Sequence, residues 1–175
     1  MRNLFCRILA EADVAAHMEV PMHSIGVISP DNDPNSQRMD IYCVIDGQNY
    51  LLYVIITHPC RPDVSLIRSH RDVGRHNAQL SGEKAAALAE KAKTAKYGLT
   101  VQARGFRSVP LAADTFSRWA LAMIAFLKTL AKRRPRTSAI PASDDASFQE
   151  SVINHWSRLL SMELMKYNTF QLHGP

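Results

Sequence analysis

Residues 39–57, with the sequence MDIYCVIDGQNYLLYVIIT, contain two apolar runs separated by a short polar segment. Met39 to Ile45 and Tyr50 to Thr57 are rich in β-branched and aromatic residues, which favour strands. The segment between them begins with Asp-Gly, a pair that is typical of tight turns between antiparallel strands. This stretch therefore predicts a β-hairpin, around which the rest of the fold can be placed.

Helical patterns lie on both sides of this hairpin. Near the amino terminus, Asn3 can cap a helix that we expect to reach about His17, since apolar residues recur there every three or four positions. After the hairpin, an alanine- and lysine-rich stretch predicts a helix from Ala78 to Tyr97. Gly98 follows directly and is expected to end it, because glycine is the usual residue just beyond a helix.

Further short runs predict more strands, at Ser24–Ser29, Leu99–Ala103 and Ser108–Leu111. A third helix should follow, with Asp114 as its cap and an apolar face that we assign to the core. That face comprises Phe116, Trp119, Met123, Ile124, Leu127 and Leu130. Helices and strands in this order predict an α/β sandwich around a mixed sheet flanked by helices.

The carboxy-terminal part predicts a linker and one more helix. Residues 132–146 are charged, contain proline and have few apolar side chains, which is typical of a linker. Ser147 and Glu150 have the spacing of a capping box, and an apolar side follows at helical spacing. We expect one domain over residues 1–131 and a helix over residues 147–175 that packs on the domain or on a partner.

Composition narrows the class of protein. The chain has 175 residues, a net charge of +5 and three cysteines. Three scattered cysteines are too few for a disulfide framework, which favours a reducing, intracellular compartment and leaves nucleus and organelle both open. The apolar runs are shorter than the roughly 20 residues of a membrane span. The positive charge favours an anionic partner such as nucleic acid, although an ordinary surface can also carry it.

Most enzyme signatures are missing from the sequence. It has no Walker loop, no dinucleotide fingerprint and no Ser-His-Asp or Cys-His pattern. The tripeptide His58-Pro59-Cys60 lacks partners at the spacing of a zinc site. These classes of enzyme and structural zinc therefore have little support.

Two basic stretches are candidates for contacts to phosphate groups. The first comprises Arg68, Arg71 and Arg75. The second follows the third predicted helix and comprises Lys132, Arg133, Arg134 and Arg136. A solvated charged surface is the alternative interpretation of both stretches, and the sequence does not decide between them.

Six landmarks follow one another along the chain: MEVP (18–21), RMDI (38–41), YVIITHP (53–59), AEKAKTAKYG (89–98), SVPLAADTFS (108–117) and SRLLSMELMKYNTF (157–170). In their order and spacing they resemble the restriction-endonuclease-like PD-(D/E)XK domain that accompanies the reverse transcriptase of non-LTR retroelements. The resemblance spans nearly the whole chain and implies a core with the element order αβββαβ.

This resemblance implies a nuclease site built around a divalent metal. In such a site carboxylates hold magnesium, the metal activates a water molecule, and a lysine positions that water. The landmarks place Glu19 and Asp40 at two of the acids and Lys93 at the lysine, with Lys96 as the second choice. The remaining acid would fall at position 53, where this chain has Tyr53.

The hairpin makes position 53 decisive. If Asp46 and Asn49 flank a two-residue turn, Asp40 pairs with Ile55, and Tyr53 is its diagonal neighbour on the same face of the sheet. A phenol with an ordinary pKa of about 10 is a poor ligand for magnesium. We therefore expect a vestigial catalytic set in which Asp40 is the only candidate metal ligand.

Three functions follow from this pattern. The first is a retroelement-derived, inactive nuclease-like protein without a cofactor, which binds nucleic acid or serves as a scaffold, for instance in a ribonucleoprotein assembly such as an organellar ribosome. The second is a magnesium-dependent endonuclease that uses Glu19, Asp40 and a backbone carbonyl beside Tyr53. The third is a structural subunit without nucleic acid, in which the basic charge is incidental. For Glu19 and Asp40 themselves, the alternative to a catalytic role is pairing with a nearby arginine such as Arg38.

Overall fold

The computed structural model describes residues 1–27, 37–57, 82–135 and 145–173. Within these ranges, two helices and four strands form the first part of the fold and two further helices complete it. The elements are α1 (Arg2–Glu11), β1 (Ala16–Pro21), a 3-10 turn (Met22–Ile25), β2 (Arg38–Ile45), β3 (Gln48–Thr57), α2 (Gly82–Gln102), β4 (Phe106–Asp114), α3 (Leu121–Arg133) and α4 (Asp145–His173). The predicted α/β class is confirmed.

The four described strands form one mixed sheet in the order β1-β2-β3-β4. β2 is antiparallel to β1 and to β3, whereas β3 and β4 are parallel. Parallel neighbours need a crossover connection, and here the crossover contains α2. Among the described elements, the order up to the end of β4 is αβββαβ.

The predicted hairpin is present, but its register differs from the expectation. Ile45 pairs with Gln48, so the loop consists of Asp46 and Gly47 alone. Both residues have positive φ, 51° and 75°, which is the conformation of a type I′ turn and the reason why Asp-Gly favours it. Ile41 pairs with Leu52, so the predicted register, in which Asp40 pairs with Ile55, is wrong by two residues.

The amino-terminal helix is shorter than predicted. It ends at Glu11 because Asp13 adopts a left-handed conformation, with φ of 56°, and the N–H of Val14 bonds back to the carbonyl of Leu9. Val14 is buried, which fixes this ending. The expectation that the helix reaches His17 is wrong, since His17 lies in β1.

The strand expected at Ser24–Ser29 is also wrong where the structure describes it. Met22–Ile25 form a 3-10 turn that ends at Gly26, with φ of 73°. The first strand of the described part lies earlier in the chain, at Ala16–Pro21, and none of its six residues is buried. A strand of this kind at the edge of a sheet lacks the alternation of buried and exposed residues by which strands are recognised.

The second helix continues beyond the glycine that was expected to end it. Gly98 lies inside α2, which extends to Gln102, so the strand predicted at Leu99–Ala103 is wrong. Glycine inside a helix costs about 1 kcal/mol relative to alanine. The added turn buries Val101 completely, which offsets that cost, and Gly105, with φ of 77°, takes the left-handed turn instead.

The strand predicted at Ser108–Leu111 is present within the longer β4, but Asp114 does not cap the next helix. α3 begins seven residues later, at Leu121, and the Glu90 carboxylate of α2 accepts a 3.1 Å hydrogen bond from the N–H of Ala122 in its first turn. Asp114 is fully buried and its carboxylate accepts hydrogen bonds from the N–H groups of Phe116 and Arg118 and from the Arg118 side chain. The carboxylate therefore holds a turn, and Phe116 is exposed instead of lying in the core.

Two layers of helices enclose the sheet. On one face, α1, α3 and α4 form a core cluster with Ile41, Cys43 and Leu52 of the sheet. On the other face, α2 and the 3-10 turn form a smaller cluster. This second cluster comprises Met22, Val27, Met39, Leu51, Tyr53, Tyr97 and Val101.

The last helix packs on the domain. α4 begins at Asp145, two residues before the predicted cap, and buries one residue per turn, at Val152, Trp156, Leu160 and Leu164. The Trp156 indole N–H donates a 2.9 Å hydrogen bond to Glu11 of α1. No helix in the described part of the chain is both long enough and apolar enough to cross a lipid bilayer.

Candidate functional site

Tyr53 is a core residue of the second cluster. Its side chain is 4% exposed, and its ring stacks on that of Tyr97 with centroids 5.0 Å apart. The hydroxyl is buried and has no hydrogen-bond partner among the described residues. Burial raises the pKa of Tyr53, with smaller contributions from Tyr97 and from the Asp40 carboxylate. The phenol therefore stays neutral at physiological pH.

The lysine expected from the family landmarks lies against this tyrosine. The Lys93 ammonium is 5.6 Å from the centroid of the Tyr53 ring and 5.2 Å from that of Tyr97. Lys96 lies 5.1 Å from the Tyr97 centroid. Both distances for Lys93 are in the range of cation–π attraction. The structure thus places Lys93 of α2 beside Tyr53 of β3.

The two predicted acids share one arginine. Arg2 Nη1 lies 2.9 Å from Glu19 Oε1 and 3.5 Å from Asp40 Oδ1. Arg38 also approaches Glu19, at 3.9 Å. The predicted pairing of the acids with an arginine is present, but the arginine that links the two acids is Arg2, at the start of α1. A guanidinium therefore occupies the space between the two carboxylates.

The backbone is irregular at these acids. Glu19 has φ of 54°, which is uncommon for a residue with a side chain. The pairing of β1 with β2 passes from Met18↔Ile41 to Val20↔Met39 and omits Glu19 and Asp40. Met39 and Ile41 then lie in different core clusters, although residues two apart in a regular strand share a face.

This irregularity determines what Asp40 contacts. Its Oδ2 accepts a 2.9 Å hydrogen bond from the backbone N–H of Val54. Its Oδ1 faces Arg2. The carboxylate is therefore committed to β3 and α1, whereas the ring of Tyr53 packs against Tyr97 of α2. The two side chains are close, but they have different partners.

These donors do not fit a magnesium site. Magnesium requires near-octahedral oxygen ligands, and carboxylates are its preferred protein ligands. Glu19 and Asp40 face a guanidinium, and position 53 offers a neutral phenol. In the described part of the chain, no three His, Cys, Asp or Glu side chains form a group that could hold a metal ion.

Of the second basic stretch, Lys132 is exposed in the last turn of α3, whereas two arginines have acidic partners. Arg133 pairs with Asp46 of the hairpin turn. Arg134 lies 3.4 Å from Glu11 and over the ring of Trp156. These arginines therefore tie α3 to the hairpin, α1 and α4. The candidates Arg68, Arg71, Arg75 and Arg136 lie outside the described residues.

Sequence reasoning missed two residues of this site. Arg2 is separated from Glu19 and Asp40 by 17 and 38 positions, so no local pattern indicates that they meet. Tyr97 was detectable, because it lies in the same landmark as Lys93, one helical turn further on. Its role as the stacking partner of Tyr53 follows only from the packing of α2 on the sheet.

No model of a known protein family matches this chain, and no curated protein matches it significantly.

Proposed function

We propose that this protein is a nuclease-like domain of retroelement type that has lost hydrolytic activity and now binds nucleic acid, in the manner of a subunit of a ribonucleoprotein assembly. The proposal rests on the resemblance of the landmarks together with the geometry around Tyr53. The nuclease-like core is part of the proposal, and the αβββαβ order of the described elements is consistent with it.

The single observation that carries the loss of activity is the placement of Arg2 between Glu19 and Asp40. Two carboxylates that are placed to hold a divalent cation repel each other at short range when the cation is absent. Arg2 supplies positive charge at that place. Tyr53 adds no charge, so Arg2 and Arg38, which also approaches Glu19, together supply two positive charges beside the two carboxylates.

Nucleic-acid binding is supported by the cations that the same site retains. Lys93 is held on two aromatic rings and has no acidic partner among the described residues. The chain as a whole carries a net charge of +5. Each lysine or arginine side chain that contacts a backbone phosphate neutralises its charge, and this electrostatic contribution supplies most of the non-specific affinity for nucleic acid.

Hydrolysis is tested directly. Purified protein is incubated with supercoiled plasmid or single-stranded DNA in magnesium or manganese, beside an Asp40→Ala variant. We expect no nicking by either protein. Metal-dependent nicking that disappears in the variant would establish the endonuclease function and overturn the proposed loss of activity.

Binding is tested by fluorescence anisotropy with RNA and DNA at two salt concentrations. The affinity should fall steeply as salt rises, and Lys93→Gln should reduce the slope of log K against log salt by about one. Lys91→Gln is the matched control, because Lys91 is exposed on the same helix, whereas Lys93 is the lysine that lies over both stacked tyrosine rings. Absent or salt-insensitive binding would favour the purely structural subunit.

A further inference from the structure

A row of aromatic side chains crosses the face of the sheet on which α2 packs. The rings of His17 in β1 and Tyr42 in β2 are stacked with centroids 6.2 Å apart. Phe106 in β4 lies edge-on to Tyr42 at 6.3 Å. These three residues, which we call the aromatic row, come from three of the four strands, and β3 contributes Asn49 between the last two.

The aromatic row is ordered and accessible. The Tyr42 hydroxyl donates a 2.7 Å hydrogen bond to Asn49 Oδ1, which orients the ring, and the amide N–H groups of Asn49 have no acceptor among the described residues. His17 is exposed, while Tyr42 and Phe106 are half-buried against the second cluster. Val44, the next residue of β2 on this face, is 45% exposed. α2 therefore covers only part of this face.

Charge near the aromatic row is compatible with an anionic chain. Arg104 is exposed in the turn that leads into Phe106, and Gln48 holds that turn through a 2.9 Å hydrogen bond to the Gly105 carbonyl. Three acids lie in or directly after the strands that carry His17 and Tyr42, namely Glu19 in β1, Asp40 in β2 and Asp46 in the hairpin turn, and Asp40 faces Arg2. Glu19 is offset by two arginines and Asp46 by Arg133.

We propose that the aromatic row is a stacking platform for unpaired nucleotides, so that the ligand of this protein is single-stranded nucleic acid. Unpaired bases offer ring faces to aromatic side chains and free edges to amide groups, whereas bases inside a duplex are already stacked. The row supplies three rings and an amide, and Arg104 supplies a cation for the backbone. This inference rests on the proposed nucleic-acid binding and specifies which form is bound and where.

The test compares short, unstructured pyrimidine-rich RNA and DNA oligonucleotides with duplexes of the same sequence, using full-length protein and fluorescence anisotropy. Wild-type protein should bind single strands more tightly than duplexes. Tyr42→Ala and Phe106→Ala should each weaken binding of single strands about tenfold, because one stacked base is lost. Duplex affinity should change little. RNA and DNA arms distinguish the two sources of unpaired bases.

Controls keep the result interpretable. Thermal melting of each variant shows whether the half-buried rings of Tyr42 and Phe106 are needed for folding. If they are, His17→Ala still tests the platform, because it alters an exposed side chain. Tyr167→Ala, at a half-exposed tyrosine of α4, should leave binding unchanged. Arg104→Gln should weaken single strands and duplexes alike and lower the salt slope by about one.

Different failures have different meanings. Salt-dependent binding with equal affinity for single strands and duplexes, unaffected by all three substitutions in the aromatic row, would overturn the platform and leave the proposed function standing. Absence of any binding by wild-type protein at low salt would overturn both. Ultraviolet crosslinking that joins the oligonucleotide to the peptides carrying Tyr42 or Phe106 would support the platform independently.

Discussion

Replacing Tyr53 with phenylalanine should make this protein more stable. The substitution keeps the ring that stacks on Tyr97 and contacts Lys93, and removes only a hydroxyl that is buried without a partner among the described residues. Leaving a buried polar group unsatisfied costs about 1–3 kcal/mol. We expect Tyr53→Phe to raise the free energy of unfolding by about 1 kcal/mol, which for a domain of this length raises the melting temperature by roughly 2–4 °C.

The same variant should also change the response to alkaline pH. Burial raises the pKa of Tyr53 in the folded protein above its value of about 10 in the unfolded chain. Since the folded state holds the phenolic proton more tightly, the stability linked to this group is complete below pH 10 and is lost as the pH rises above it. Tyr53→Phe lacks this group, so the difference in stability between variant and wild type should widen above pH 10.

Urea denaturation followed by tryptophan fluorescence, at neutral pH and in a series extending above pH 10, measures both effects. Tyr167→Phe is the matched control, because its hydroxyl belongs to a half-exposed residue, and its effect should stay within about 0.5 kcal/mol. A loss of 1 kcal/mol or more in Tyr53→Phe would mean that the hydroxyl makes a favourable bond. The hydroxyl at position 53 would then have a role in the folded protein, contrary to the proposal that the site is vestigial.

Three further substitutions test other contacts. Arg2→Gln should lower the free energy of unfolding by only about 0.5–1 kcal/mol, because the ion pairs of Arg2 are partly exposed. Arg7→Gln on the same helix is the control and should have almost no effect. Equal effects of the two substitutions would show that Arg2 does not link the acids. Asp114→Ala should lower the free energy of unfolding by about 3 kcal/mol, since two backbone N–H groups lose their acceptor. Thermal or urea denaturation measures this change, and a decrease below 1 kcal/mol would contradict the role of Asp114 in the turn. Trp156→Phe should lower the free energy of unfolding by about 1–2 kcal/mol, because the hydrogen bond to Glu11 is lost and the new ring is smaller. An unchanged free energy of unfolding would show that α4 contributes little to the core.

Local patterns predicted the parts of the fold that depend on neighbouring residues. The Asp-Gly turn specifies the hairpin, because its two residues take positive φ at little cost. The apolar stripe of α4 is visible in the spacing of Val152, Trp156 and Leu160, all of which are buried. The resemblance implies that Lys93 is the lysine of the site, and its ammonium lies 5.6 Å from the centroid of the Tyr53 ring.

Errors arose where distant contacts outweighed a local preference. Gly98 is a common helix terminator, yet burial of Val101 extends α2 past it. Asp114 is a good helix cap, yet its carboxylate is used by the turn that contains Arg118. The sequence did not predict β1, because this edge strand is stabilised by backbone hydrogen bonds to β2. The order of its own side chains gives no sign of that pairing.

The sequence alone determined that this chain forms an α/β domain, that an antiparallel hairpin lies in its sheet, and that an aromatic residue stands where the resemblance implies an acid. These features depend on residue type and short spacing. Only the tertiary structure decided that Arg2 lies between Glu19 and Asp40 and that rings from three strands form one row. Charge pairing across separate elements depends on how those elements pack, because Coulomb energy is set by distance in space and not by separation along the chain.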